Sequence, residues 1–148
     1  QLFGKYYKGV EGNIIPGLEI FNYYTEAIEN RKKRCIGNIV IEANLNGEKT
    51  KIIGFENHGG QTFDIDTPFG DVLFGNGNKF GDSKEGFFLK NVIATYLHGP
   101  LLSKNPELAD YIISHCLNRK YNEEIKLEPL NDDFENLCRK QLLDNFLN

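Results

Sequence analysis

The sequence predicts an α/β domain, a strand-rich half with a mixed sheet closed by two terminal covering helices. Three observations carry this reading. Apolar strand patterns at residues 36–43 and 51–55 flank Asn46-Gly47. Asn-Gly between apolar runs is a strong hairpin signal, because both residues tolerate positive φ. A further apolar run at residues 91–97 reads as a central strand and ends on His98-Gly99-Pro100. Beyond it, Asn105-Pro106-Glu107 sets out a helix start in the expected order of N-cap, first-turn proline and acid.

Taken in chain order, residues 1–8 read as the tail of a helix, with Leu2, Phe3, Tyr6 and Tyr7 at helical spacing and Gly9 as its stop. Residues 12–17, containing Pro16, read as a turn, and the aromatic run at 18–25 as a strand. After the hairpin come short strands at 62–65, 71–74 and 86–89, separated by glycine-rich turns. The first terminal helix carries Leu108, Ile112 and Cys116 at four-residue spacing, flanked by Ala109, Ile113 and Leu117. The second starts near Asn131-Asp132-Asp133 and sets Phe134, Leu137, Cys138, Leu142 and Phe146 on one side.

Bulk properties exclude several functional classes. The 148 residues suit one domain with a real core. A net charge of -4 argues against a nucleic-acid binder, whose footprint is a basic face, and the cluster Arg31-Lys32-Lys33-Arg34 reads as a solvated turn. No apolar run approaches the ~20 residues that cross a bilayer, so no membrane insertion is expected. Three widely spaced cysteines (Cys35, Cys116, Cys138) without a Cys-x-x-Cys pair point to reduced thiols, a cytoplasmic location and no metal site. The absence of methionine and the abrupt start at Gln1 suggest a fragment.

Two histidines stand where chemistry is plausible. His98 closes an apolar strand, and open α/β sheets bind ligands at the carboxyl ends of their strands. Imidazole titrates near neutrality, so it accepts a thiol proton and returns it to a departing amine. His58, in Phe55-Glu56-Asn57-His58-Gly59-Gly60, is either a second pocket residue or a hydrogen-bonded strand terminator. His115 reads as an ordinary helix residue. The glycines at 75, 77 and 81 resemble a phosphate loop but lack its Lys-Ser/Thr end and read as a hairpin turn.

These pieces together resemble class I glutamine amidotransferases of the cobyric-acid-synthase type. Gln1-Leu2-Phe3-Gly4-Lys5-Tyr6-Tyr7 is similar to the segment immediately after that family's Cys-Gly-Gly-Tyr nucleophile elbow. The run from Gly54 to Gly60 resembles its Gly-Tyr-Glu-x-His-x-Gly, and Thr95-Tyr96-Leu97-His98-Gly99-Pro100 its histidine-bearing strand. Arg34-Cys35-Ile36-Gly37-Asn38, Gly77-Asn78 and Asn105-Pro106-Glu107-Leu108-Ala109-Asp110 bring the resemblance closest to the glutaminase (GatD-type) subunits of lipid II isoglutaminyl synthases.

The resemblance implies a partial class I amidotransferase (flavodoxin-like) fold, the C-terminal part of one such domain over residues 1–148. The N-terminal strands and the nucleophile elbow are expected to lie before Gln1. It implies a Cys-His glutamine amidohydrolase that needs no cofactor and passes ammonia to a Mur-ligase-like (MurT) partner, which amidates D-glutamate in lipid II. His98 carries over as general base and acid. Arg34 is the candidate for the glutamine carboxylate, with Arg31 behind it, because guanidinium grips a carboxylate bidentately. Gln1 and His58 carry over as pocket residues.

The chain departs from the family pattern in two places. None of the three cysteines stands at an elbow: Cys35 opens a strand and the others are expected on helix core faces, so the chain as given is expected to be inactive. Many class I members place a glutamate two residues after the histidine, where this chain has Pro100. The orienting acid is then expected from elsewhere in the domain or from the partner, the favoured source, unless it is dispensable. An amidotransferase domain of a cobyrinate-type synthase and a non-catalytic binding module with the same fold remain open alternatives.

Overall fold

The computed structural model describes residues 1–147. Its strands are β1 (Tyr6–Lys8), β2 (Ile14–Pro16), β3 (Tyr24–Ala27), β4 (Cys35–Leu45), β5 (Glu48–His58), β6 (Gly60–Phe63), β7 (Gly70–Phe74), β8 (Lys84–Glu85), β9 (Phe87–Leu89) and β10 (Val92–Ala94). A short 3-10 turn (Arg31–Lys33) precedes β4, and two helices, α1 (Pro106–Tyr121) and α2 (Asp133–Leu147), close the chain. They make an α/β arrangement of three sheets, ordered β2-β1-β3-β6, β5-β4-β7-β8 and β10-β9. The first sheet is mixed, with β1 parallel to β3, and the second is antiparallel throughout.

The Asn46-Gly47 hairpin is the backbone of the molecule. Asn46 (φ 53°) and Gly47 (φ 91°) both take positive φ, and β4 pairs with β5 over eleven residues from Cys35↔His58 to Leu45↔Glu48. Alternate residues Ile39, Ile41, Ala43 and Leu45 face one core with Ile52, Phe69, Leu97 and Leu108. Val40 and Ile53 are buried on the opposite face, so the centre of this ribbon is covered on both sides.

Elsewhere the expectations are revised. Residues 1–5 are turns, and Tyr6 begins β1, because pairing with β2 and β3 outweighs helical spacing; Tyr6 stacks on Tyr24 at 5.0 Å. The expected turn at 12–17 contains β2, and the turn itself lies at residues 9–13. The expected strand at 18–25 starts only at Tyr24. Before that, the N–H groups of Leu18, Glu19, Ile20 and Phe21 bond the carbonyls of residues 2–4, an irregular crossing and not a ladder. The crossing is tight: a Cβ on Gly17 would come within 2.1 Å of the Gly4 carbonyl oxygen.

The run at 91–97 is not a long central strand. Only Val92–Ala94 pair, in the two-stranded β9–β10 ribbon, and the chain then rejoins the main sheet through a single bridge between His98 and Phe55. This bridge matters because β5 is an edge strand. Its free backbone groups are met from outside: Phe55 by His98 (N–H to O 3.2 Å and 2.6 Å in return), and Ile53 by Asn105. The N-cap pattern predicts that the Asn105 side chain caps α1. Instead its fully buried amide accepts from Ile53 N (2.8 Å) and donates to the Ile53 and Leu101 carbonyls (2.8 and 2.7 Å), which satisfies a buried edge.

The helices sit more loosely than their patterns suggest. In α1 only Leu108 is buried, and α2 buries none of its described residues; Phe146 of α2 stacks on Phe74 at 5.2 Å. Cys116 and Cys138 are exposed and do not lie on core faces; of the three cysteines only Cys35 is buried. Among the described residues no helix is long and apolar enough to cross a membrane.

Candidate functional site

The sheets meet where β5 ends. At Gly59 the chain leaves the antiparallel sheet and enters the mixed one as β6, so His58 and Thr62 stand on either side of a change of layer. Tyr96, two residues before His98, fills the angle. Its ring lies flat on His58 (centroids 3.7 Å apart, planes 5° apart), and its hydroxyl lies 2.7 Å from Thr62 Oγ1. Thr62 Oγ1 is in turn 2.9 Å from Thr25 Oγ1 on β3, and Gln1 Nε2 donates to the Tyr96 hydroxyl at 3.3 Å. A small cavity of about 70 Å³ opens beside this cluster, lined by Gln1, Thr62, Asn78, Phe87, Thr95 and Tyr96 among others.

The fold gathers all four candidate residues of the sequence around this corner. Gln1 lines the cavity. His98 is exposed, held on β5 by its backbone, and close enough to His58 that its charge disfavours a proton there. His58 is buried, its Nδ1 is 2.7 Å from the Gly60 carbonyl, and burial is the main force lowering its pKa. It reaches the cavity through the ring of Tyr96. Arg34 is exposed at the head of β4 and donates from Nε (3.3 Å) and Nη2 (3.0 Å) to Asn57 Oδ1, with Nη1 beside Gly59.

Two buried carboxylates brace the corner, and sequence reasoning assigns neither a role. Glu56 accepts from Asn76 N (2.9 Å), Asn76 Nδ2 (2.7 Å) and Gly77 N (3.1 Å). The glycine-rich loop is thus the β7–β8 hairpin connection, as expected. Gly75 and Gly77, at φ 106° and 85°, let it fold around an anion that the protein itself supplies. Glu85 accepts from Thr95 Oγ1 (3.0 and 3.1 Å to its two oxygens) and Tyr96 N (2.7 Å), and burial pushes its carboxyl up to about 7. The signal for Glu56 is present as Glu-x-His, two residues on one strand face. Nothing local marks Glu85, whose partners are ten and eleven residues away.

Cys35 lies opposite His58 in the β4–β5 register, and burial followed by the charge of Glu56 pushes its thiol up to about 11. Such a thiol is a poor nucleophile at neutral pH. Cys116 and Cys138 lie on the two terminal helices, and neither lines the cavity. Among the described residues no carboxylate hydrogen-bonds the His98 ring.

Comparison with known proteins adds a family and several relatives. A family model for the CobB/CobQ-like glutamine amidotransferase domain matches residues 1–106. The chain is 43% identical over 144 residues to the lipid II isoglutaminyl synthase (glutamine-hydrolyzing) subunit GatD of Staphylococcus aureus (strain N315), covering 97% of this chain and 56% of that protein. It is 40% identical over 134 residues to the GatD subunit of Streptococcus pneumoniae (strain ATCC BAA-255 / R6), covering 89% and 50%. To a probable cobyric acid synthase of Methanococcus vannielii it is 30% identical over 138 residues, covering 89% and 26%. The chain spans about half the length of the two GatD relatives.

Proposed function

We propose, because this chain belongs to the CobB/CobQ-like glutamine amidotransferase domain family, that it is the histidine-bearing part of a glutaminase subunit that feeds ammonia to lipid II amidation. The observation that carries this is His98 bridged to Phe55 of β5, two residues after the cavity-lining Tyr96, in a chain 43% and 40% identical to GatD subunits. An amidotransferase domain of a cobyrinate-type synthase is the second reading, supported by a lower identity of 30%.

In this reading the domain is the C-terminal part of a flavodoxin-like amidotransferase fold, and its nucleophilic cysteine stands in the segment preceding Gln1. The thiolate attacks the glutamine side-chain amide, and the acyl-enzyme forms as ammonia departs with the proton carried by His98. His98 then takes a proton from water during hydrolysis of the thioester to glutamate. Arg34 binds the glutamine α-carboxylate through its open Nη1 edge, and Gln1 lines the pocket. His58 supports the pocket from beneath Tyr96. A Mur-ligase-like partner consumes the ammonia and supplies the acid that orients His98, and the complex works in the cytoplasm.

The test is glutamate release from glutamine by the protein read from its natural frame, upstream residues included, beside the same assay on residues 1–148. Turnover in the first and none in the second is expected, together with covalent labelling of an upstream cysteine by an electrophilic glutamine analogue. Turnover by residues 1–148 alone, or labelling of Cys116 or Cys138, would overturn the assignment of the nucleophile.

A further inference from the structure

We propose that Cys35, Glu56 and His58 form a binding site for a divalent transition-metal cation, zinc by the chemistry of its donors. The site shares His58 with the pocket of the glutaminase reading, but metal binding can be tested without it. The sequence holds no closely spaced pair of metal ligands, and its widely separated cysteines predict no metal site. The fold makes one from a strand register instead.

Cys35 pairs directly with His58 across the β4–β5 ladder, and Glu56 stands two residues back along β5. All three side chains therefore project from one face of the ribbon. Sγ, a carboxylate oxygen and an imidazole nitrogen lie within 4.8 Å of one another, and all three residues are buried. With bonds of roughly 2.0 to 2.3 Å, the ligand atoms of a tetrahedral zinc centre stand roughly 3.3 to 3.6 Å apart. Side-chain shifts of about 1 Å close this cluster on an ion.

The proton count points the same way. The Gly60 carbonyl only accepts, so His58 Nδ1, 2.7 Å away, carries the ring proton. His58 Nε2 is buried and makes no hydrogen bond of ordinary geometry among the described residues, with the Gly77 backbone also acting on the ring. It lies 3.9 Å from Glu56 Oε2, which is also an acceptor. A lone pair, a carboxylate and a thiol thus face one point inside the protein. A buried acceptor left unmatched is costly, and a cation between these groups removes that cost.

The surroundings suit a metal centre. A ligating histidine ordinarily donates its other ring N–H to a carbonyl, as His58 does to Gly60, and ligating carboxylates are themselves hydrogen-bonded, as Glu56 is by Asn76 and Gly77. On binding, the Cys35 thiol gives its proton to solvent. Thiolate and carboxylate then balance the two positive charges, and the buried centre is neutral. A sulfur, a nitrogen and an oxygen favour zinc over magnesium or calcium, which take oxygen alone. Because the His58 ring lies on Tyr96, the ion would also stiffen the floor of the cavity.

The experiment is titration of the metal-stripped chain with Co²⁺ as a spectroscopic stand-in, followed by Zn²⁺. About one equivalent of Co²⁺ should bind with a thiolate-to-cobalt charge-transfer band and release of about one proton, and Zn²⁺ should displace it with no further proton release. Cys35→Ser and His58→Gln should abolish the band and weaken binding by on the order of 100-fold, while Cys116→Ser and Cys138→Ser retain it. Circular dichroism checks that each variant is folded. Absence of the band in the unsubstituted chain would overturn the proposal whatever the variants do, as would a band that survives Cys35→Ser and disappears with an exposed cysteine.

Discussion

At the end of β5, Thr25, Glu56, Gln61, Thr62 and Asn78 are each less than a tenth exposed, and nearly every polar atom there has a named partner. In α2 the large side chains Phe134 and Leu137 are 72% and 55% exposed, and no described residue is buried. The first region is fixed by direction. A hydrogen bond moved by an ångström leaves a buried group unmatched, so its members lock one another in place. The second is fixed by contact area, which changes gradually as a helix slides. The candidate site is built on the first region, with Gln1, Arg34 and His98 exposed at its margin, and it needs that rigidity to hold His98, which the main sheet grips through backbone alone.

The sharpest way to test the contrast is to remove a side chain that the network places but does not use. His98→Ala should cut glutamine hydrolysis by the full-length protein by about 10² to 10⁴-fold, the usual contribution of a general acid-base group. Its melting temperature should stay within about 1 °C of wild type, because the ring is exposed and the backbone bridge survives. A large drop in stability would show that the ring is part of the brace and not its product.

Glu85 probes the brace by pH. Its carboxyl is raised from an ordinary 4.5 to about 7, mainly by burial. The folded state therefore holds a proton that the unfolded chain releases first, and Glu85 contributes fully below about pH 4.5. That contribution declines as pH rises towards 7, by on the order of 3 kcal/mol. Glu85→Gln keeps an acceptor for Tyr96 N and has no proton to lose, so its stability relative to wild type should grow from pH 5 to pH 8. Parallel stability–pH curves for the two proteins would show that the raised carboxyl is not coupled to folding. Asn105→Ala is the pH-independent counterpart: it strips two buried backbone partners from Ile53 and should cost about 2 kcal/mol in a denaturant titration.

How much of this is legible in the sequence obeys the same divide. The β4–β5 hairpin and the start of α1 are written locally, in Asn46-Gly47 and in Asn105-Pro106-Glu107, whereas His98, expected at a strand end, stands in an isolated bridge four residues beyond β10. The rest is non-local. Residues 1–8 carry helical spacing yet form β1, because their partners on β2 and β3 are chosen by the sheet. The run at 91–97 is apolar enough for a central strand, but the backbone groups it would pair with are taken by β9 and by a single bridge. Tyr96 acts on partners 34 and 95 residues away and Glu85 on partners ten and eleven residues away, and no motif announces either the hub of the site or its brace. Asn105 reads locally as the cap of the helix it precedes, while its side chain serves the strand it covers.

The smallest expected effect belongs to the loose region. Leu137→Ser removes an apolar side chain that is 55% exposed in α2, so little area returns to water in the unfolded chain. Stability in denaturant should change by less than about 0.5 kcal/mol, the range of surface substitutions that break no special feature. Leu108, the one buried residue of α1, is the control: Leu108→Ala opens a void against Ile52 and Leu97 and should cost about 2 to 5 kcal/mol. If the two substitutions cost alike, α2 is packed in solution against something that holds Leu137 as firmly as the core holds Leu108. The contrast between a directed region and a sliding one would then apply to this chain alone and not to the assembly in which it works.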